Sequence, residues 1–230
     1  MNQNHDTMKT KALVLLSGGQ DSTTCLYWAI EHFDEVHAIG FDYGQSHAVE
    51  LQYAADNAKR AEVPFAVVDV KGLLATSSLI EHGDHNESSY LSDDLPASFT
   101  PGRNLLFLTV AASKAAEMGI TDLVTGVCQT DYSGYPDCRR NTIDALQLAL
   151  SLGVGNGDMR IHTPLMYLNK AETWKMAADL GVLDVIRLNT MTDYDGNQDQ
   201  LNEWGYGSEE NPASKLRAEG YRTAKEMGWV

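Results

Sequence analysis

The six residues Ser17-Gly-Gly-Gln-Asp-Ser22 carry the most pointed chemistry in this chain. Gly18 and Gly19 let backbone N–H groups turn inward around an anion. A helix starting directly after them adds the partial positive charge of its N-terminus. Ser17 and Ser22 can donate hydroxyl hydrogen bonds to phosphate oxygens. A bare phosphate would repel Asp21, so a carboxylate there points to Mg²⁺ bridging it to a pyrophosphate. The loop lacks the Gly-Lys-[Ser/Thr] ending of a Walker A sequence, and it is not G-x-G-x-x-G. A plain tight turn is the alternative, and the strand-loop-helix setting speaks against it.

Two further blocks have side chains suited to a flat heterocycle with a carboxylate. Phe99-Thr-Pro-Gly-Arg-Asn104 leads into a helix, and Gly126-Val-Cys-Gln-Thr-Asp-Tyr-Ser-Gly-Tyr-Pro-Asp-Cys-Arg139 follows a strand, where open α/β sheets place their ligands. A guanine-like edge offers an N–H and an NH₂ side by side, and one carboxylate, Asp131 or Asp137, can accept both. Tyr132 and Tyr135 offer faces for stacking. Arg103 and Arg139 can meet a carboxylate or phosphate through a planar fork. From composition alone, a surface loop shaped by Gly and Pro fits these residues equally well.

The surrounding pattern alternates short apolar runs with amphipathic stretches, which predicts a parallel sheet covered by helices. Strands are expected at Ala12–Leu16, Val36–Phe41, Phe65–Val70, Asp122–Val127 and Ile161–Leu165. Helices are expected over Thr23–His32, with Leu26, Ile30 and Phe33 on one face, and over His47–Glu62, Asn104–Met118, Arg140–Leu152, Asn169–Leu180 and Ala213–Met227. Asn169-Lys-Ala-Glu172 reads as a capping box. Residues 72–102 are rich in Ser, Asp, Glu and His, and a polar stretch of this length suggests a functional or mobile segment. The fold class is therefore α/β, Rossmann-like, with residues 1–188 as the main domain and 189–230 as a small C-terminal extension.

Ser-Gly-Gly-x-Asp-Ser after a first strand resembles the phosphate loop of the PP-loop ATP pyrophosphatases. Phe41-Asp-Tyr-Gly-Gln45, Pro101-Gly-Arg-Asn104, Asp131-Tyr-Ser-Gly-Tyr-Pro-Asp-Cys-Arg139, Thr163-Pro-Leu165 and Lys170-Ala-Glu172 narrow the likeness. In order and identity they resemble the 7-cyano-7-deazaguanine synthase family from about residue 11 to 190. That resemblance implies a ligase making the nitrile from 7-carboxy-7-deazaguanine, ammonia and ATP through adenylated intermediates. It implies catalytic roles for Ser17, Asp21 and Ser22, and nucleotide contacts from Ser17, Gly18, Gly19, Gln20, Asp21, Ser22, Asp42 and Arg103. Asp131, Tyr132, Ser133, Tyr135, Asp137 and Arg139 would form the substrate pocket. Mg²⁺ would sit on Asp21 with the nucleotide, and a homodimer is expected. Water competes with ammonia for the activated carboxylate, so residues 75–100 are the candidate closing loop.

At one place the sequence departs from that family, which carries four zinc cysteines near its C-terminus. Here Asp193, Ser208, Asn211 and Ser214 stand at those positions, ahead of Lys215-Leu-Arg217. A carboxylate, two hydroxyls and an amide make a poor tetrahedral zinc site, so no zinc is expected. The segment should instead be held by Trp204, Tyr206, Leu216, Tyr221 and Trp229 packing on the main domain. A loose segment with reduced activity, or a divergent enzyme stopping at the amide, are the alternatives.

Bulk properties limit the rest. The net charge of −15, with seventeen scattered Lys and Arg, disfavours a nucleic-acid substrate. No apolar run is long enough to cross a membrane, and the polar N-terminus shows no secretory signal. Cys25, Cys128 and Cys138 share no metal-ligand or disulfide spacing, which fits a reduced cytoplasmic setting. Cys25 reads as buried filler. His82 and His85 read as solvated, and His47 and His162 as possible pocket lining. Another PP-loop activity, such as tRNA thiolation or synthesis of a different amide, and a non-catalytic nucleotide-binding protein are the competing functions.

Overall fold

The computed structural model describes residues 9–45, 49–75, 77–80, 88–89, 92–130, 135–155, 157–193 and 196–230. Five strands form a parallel sheet: β1 (Lys11–Leu15), β2 (Glu35–Asp42), β3 (Phe65–Asp69), β6 (Asp122–Val124) and β7 (Arg160–His162), in the order β3-β2-β1-β6-β7. Antiparallel β4 (Ser88–Ser89) and β5 (Ser92–Pro96) lie between β3 and β6 in sequence and form their own small sheet. The strand order reverses beside β1. The chain winds outward to β2 and β3 on one side, then to β6 and β7 on the other. A doubly wound sheet opens a crevice at that point, beyond the carboxyl ends of β1 and β6.

Residue alternation along β1 sets the two layers. Leu13 points to a core shared with helices α3 (Arg103–Glu117) and α4 (Arg140–Gly153), which contribute Leu108, Ala111, Ala112, Ile143 and Leu150. Ala12 and Val14 face the opposite core, filled by Cys25, Leu26 and Ala29 of α1 (Gln20–His32) and by Ala54 and Ala58 of α2 (Val49–Arg60). Central strands buried on both faces therefore read as nearly continuous apolar runs, whereas Val67 on the edge strand β3 is 49% exposed. The small residues facing the sheet let the helices lie close to it.

Boundaries shift from the sequence expectation for local reasons. α1 begins at Gln20, three residues early, and its buried face runs through Cys25, Leu26 and Ala29 while Ile30 is 38% exposed. β6 stops at Val124 because the chain then turns into the crevice, and β7 stops at His162 because Thr163-Pro164 enters a turn closed by Met166 N–H to Thr163 C=O. Helix α5 (Lys170–Asp179) begins at the expected capping box: Asn169 accepts from Glu172 N–H, and Glu172 accepts from Asn169 N–H.

A third apolar cluster holds the C-terminal part. Short helix α6 (Leu183–Leu188), the hairpin β8 (Leu201–Asn202) and β9 (Gly205–Tyr206), and α7 (Pro212–Glu226) pack around Trp174, Ile186, Trp204, Ala218 and Tyr221. Neither α6 nor the two-residue strands were expected, being too short to show a period. The fully buried Arg217 sits at the centre. Its guanidinium donates to the carbonyls of Trp204 and Ile186 and to the hydroxyls of Thr190 and Thr192, and it lies 5.5 Å from the Trp174 ring centroid. Burial lowers its pKa to about 10, so it remains a cation at neutral pH. A lysine cannot span this fork. Arg217→Lys is expected to cost about 2–4 kcal/mol, because several buried acceptors lose their donors; urea unfolding measures it.

Candidate active site

A cavity of about 880 Å³ occupies the crevice at the strand-order switch. That lies near the top of the range for small-molecule sites. Ser17, Gly19, Gln20, Asp21 and Ser22 form its floor, and Thr125 to Cys128 after β6 form one flank. Phe41 and Tyr43 from the end of β2, with Arg103, Asn104 and Phe107 of α3, form another. Pro212, Ala213, Lys215, Leu216 and Glu219 of α7 complete the wall, so the C-terminal segment is part of the site.

The floor has the features of an anion cradle. Gly18 has φ +90°, and a Cβ there would stand 2.2 Å from the Glu50 carbonyl oxygen and 2.8 Å from the Ala54 nitrogen. Only glycine lets the loop lie this close to α2. α1 starts behind Gly19, which has no side chain to cap it, so beyond Gln20 its first-turn N–H groups suit an anion. Meanwhile the loop closes on itself: the Ser17 and Ser22 hydroxyls lie 3.0 Å apart, and Ser22 Oγ accepts from Ser17 N–H at 3.1 Å. The Gln20 N–H donates to Thr192 Oγ1. Since Thr192 Oγ1 also accepts from Arg217, a chain of hydrogen bonds joins the C-terminal core to the loop.

Asp21 is held by a residue that sequence reasoning left in a helix cap. Lys170 Nζ donates to both carboxylate oxygens, at 2.9 and 2.8 Å, and the lysine side chain is only 8% exposed. One signal was available: Lys170 is the first residue of α5, where the helix dipole disfavours a cation unless a partner holds it. Gly220 of α7 makes room, since a Cβ there would meet Lys170 Cγ at 2.6 Å and Cβ at 2.7 Å. Among the described residues no cluster of three His, Cys, Asp or Glu could hold a metal by itself. Asp21 nevertheless suits Mg²⁺, which is commonly bound by one or two carboxylates together with substrate phosphates.

The other anticipated residues divide. Arg103 lines the cavity, hydrogen-bonds Tyr43 and acts electrostatically on Glu50. Burial pushes the Tyr43 hydroxyl up to about 12. Tyr135 also lines the cavity, with its hydroxyl 2.6 Å from Ser98 Oγ and its ring against Phe99. Three residues do not reach the wall. Asp42 pairs with Lys71 at 2.6 Å and accepts from Gly44 N–H. Asp137 is buried in a 3₁₀ turn, where it accepts from Asn104 N–H and thereby caps α3. Arg139 is exposed and borders a smaller cavity with Arg140 and Tyr167. Asp131, Tyr132 and Ser133 lie outside the described residues, as do His47, His82 and His85.

Aromatic surface comes from elsewhere: Phe41 and Phe107 stack at 4.4 Å, with Tyr43 tilted against Phe107 at 5.5 Å. Of the stretch from 75 to 100, Leu79, Leu95, Pro96 and Ser98 line the cavity. His162 instead bonds Asp122 and packs on Phe33 away from it. Cys25 is fully buried, and burial holds its thiol well above the ordinary range, which suits filler rather than a nucleophile.

The family model described as "Queuosine biosynthesis protein QueC" matches residues 11–225. The chain belongs to this family. Curated relatives named 7-cyano-7-deazaguanine synthase include one from Janthinobacterium sp. (strain Marseille), 46% identical over 91% of this chain and 94% of its own length. Another, from Herminiimonas arsenicoxydans, is 47% identical over 91% and 95%. A protein of Rhodopseudomonas palustris (strain HaA2) named 7-cyano-7-deazaguanine synthase 1 is 49% identical over 92% and 93%.

At the positions where the resemblance would put zinc ligands, this family member has a closed hydrogen-bond knot. Asp193 accepts from Ser208 N–H and Oγ through one carboxylate oxygen, and from Asn211 Nδ2 at 2.8 Å through the other. Asn211 Oδ1 in turn accepts from Ser214 N–H at 3.1 Å, capping α7. Asp193, Asn211 and Ser214 are buried. The donor set offers no thiolate or imidazole and is engaged internally, so it does not fit zinc. Asp193→Ala strands two donors and the Asn211 amide, and is expected to cost about 2–4 kcal/mol. Thermal unfolding measures that loss, and a strong chelator should move the wild-type Tm by less than about 1 °C.

Proposed function

We propose that this protein converts 7-carboxy-7-deazaguanine and ammonia into 7-cyano-7-deazaguanine, using ATP and releasing AMP and pyrophosphate, as a PP-loop ATP pyrophosphatase. The observation that carries the proposal is the α1 N-terminus behind a glycine cradle, facing the Asp21–Lys170 pair at the strand-order switch. Family membership supports the same chemistry.

The residues divide the work by their chemistry. N–H groups of the loop and the hydroxyls of Ser17 and Ser22 would trade their internal bonds for phosphate oxygens. Asp21 would hold Mg²⁺ with the nucleotide, which supplies charge neutralisation at the pyrophosphate leaving group. Lys170, freed from the carboxylate, would then face the phosphates as a second positive charge. Arg103 is placed to orient the substrate carboxylate, and Phe41, Tyr43, Phe107 and Tyr135 offer surface for the bicyclic ring. Asp131, Tyr132 and Ser133 remain proposed substrate contacts, a role that family membership supports.

In the first stage a carboxylate oxygen attacks the α phosphorus and pyrophosphate leaves. Ammonia then displaces AMP and gives the amide. In the second stage the amide oxygen is adenylated, and its departure as AMP leaves the nitrile. Both stages place the same groups on the same atoms, so one cavity serves for both. Exclusion of water is needed throughout, and the wall formed by Leu79, Leu95 and Pro96 within residues 75–100 is the proposed cover.

The proposal includes a division of roles, with residues 1–188 carrying the chemistry and 189–230 walling and bracing the loop. A reduced cytoplasmic setting, supported by three free cysteines, and a homodimer complete it. No helix among the described residues is long and apolar enough to cross a membrane. A net charge of −15 favours a small-molecule substrate over nucleic acid.

Incubating the protein with ATP, Mg²⁺, ammonium and 7-carboxy-7-deazaguanine should yield AMP and the nitrile by mass spectrometry. Asp21→Asn, which removes the metal-holding charge, is expected to lower AMP release by at least about 10³-fold. Unchanged turnover in that variant would remove Asp21 from the mechanism, and accumulation of the amide by the wild type would restrict the enzyme to the first stage.

A further inference from the structure

Amide formation needs a proton acceptor as well as an activated carboxylate. When ammonia adds to the acyl carbon, the tetrahedral adduct carries a positive nitrogen. The product amide is neutral, so one proton must leave that nitrogen before or as the C–O bond to AMP breaks. The groups assigned above bind and polarise, but none of them takes this proton.

Most titratable side chains around the cavity are unsuited to the task. Asp21 is assigned to the metal with the nucleotide, and Lys170, its partner in the ion pair, to the phosphates as a cation. Arg103 is a cation, and the Tyr43 hydroxyl, pushed up to about 12, stays protonated. Tyr135 is tied to Ser98. Cys128 donates to the Leu168 carbonyl, and Cys138 accepts from Asn104 Nδ2. Lys215 and Glu219 on α7 are exposed at the rim. Glu50 remains. It lies in the first turn of α2, is half-buried and lines the cavity. Its backbone carbonyl abuts Gly18, so the residue that lines the cavity stands directly beside the Ser17–Ser22 loop.

Resting on the function proposed above, we infer that Glu50 is the general base for the nitrogen nucleophile. The N–C bond forms as ammonia attacks the acyl carbon, and one N–H proton passes to the Glu50 carboxylate. The C–O bond to AMP then breaks, with its electron pair leaving on the phosphate oxygen. In the second stage the adenylated amide carries two N–H protons. The same carboxylate takes one and passes it to water, then takes the other as the C–O bond to AMP breaks with its electron pair on the phosphate oxygen, and the C≡N bond is completed. Water carries each proton away before the next transfer. Desolvation raises the Glu50 carboxyl from 4.5 to about 7, with Arg103 opposing the shift, which suits a base working near neutrality.

Three measurements on the whole chain test this. Carboxylate-dependent exchange of labelled pyrophosphate into ATP reports adenylation alone, and mass spectrometry reports nitrogen transfer. In Glu50→Gln the ratio of nitrogen transfer to exchange should fall by roughly 10²–10³-fold. Glu50→Asp, which keeps a carboxylate, should recover part of that loss. Hydroxylamine, largely unprotonated at neutral pH, should narrow the Gln deficit by at least about tenfold, forming the hydroxamate. The pH profile of kcat/KM for free ammonia should bend near 7 in the wild type and lose that bend in Glu50→Gln. A Gln variant with an unchanged ratio, or with both rates reduced equally, overturns the inference. A wild type with no carboxylate-dependent exchange overturns the function it rests on as well.

Discussion

The ion pair between Asp21 and Lys170 is the contact on which the site depends. It joins Asp21 of α1 to Lys170, the first residue of α5 and 149 residues further along the chain. A lysine exposed by only 8% is expensive to bury without a counter-charge, and a carboxylate beside an anion cradle is equally poorly placed alone. Each makes the other tolerable. In the proposed reaction a nucleotide's phosphates and a divalent cation would give both charges new partners of the right sign. The pair therefore preorganises the floor while remaining exchangeable.

Holding Lys170 in place is work for the C-terminal segment. Gly220 of α7 leaves the space its stem occupies, and Arg217 ties α7 to Thr192, which accepts the Gln20 N–H of the loop. The knot of Asp193, Ser208, Asn211 and Ser214 fixes the start of α7, where Asn211 serves as the cap. Polar satisfaction and an apolar cluster around Trp174 and Trp204 together replace what a metal would do by cross-linking. This small region thus braces the Ser17–Ser22 loop and also supplies part of the cavity wall.

Local rules made the frame readable in the sequence. Buried runs gave the strands of the sheet, and Asn169 with Glu172 announced the start of α5. The Ser17–Ser22 loop stood out because its glycines sit between a buried strand and a helix. Residues whose task is set by tertiary contact were harder. Asp137 looked like a ligand contact but caps α3, and Asp42 is drawn aside by Lys71. Lys170 and Glu50 were passed over because their cavity positions come from packing between elements far apart in the chain. The two-residue strands and six-residue α6 carry too few residues for any period to emerge.

The most direct test of the account follows the oxygen atoms of the substrate carboxylate. With both of those oxygens labelled as ¹⁸O, each AMP released should carry one label, and both labels should be found in AMP for every nitrile formed. Label in inorganic phosphate, or retained in the deazapurine product with unlabelled AMP, would contradict activation by attack on the α phosphorus at this loop.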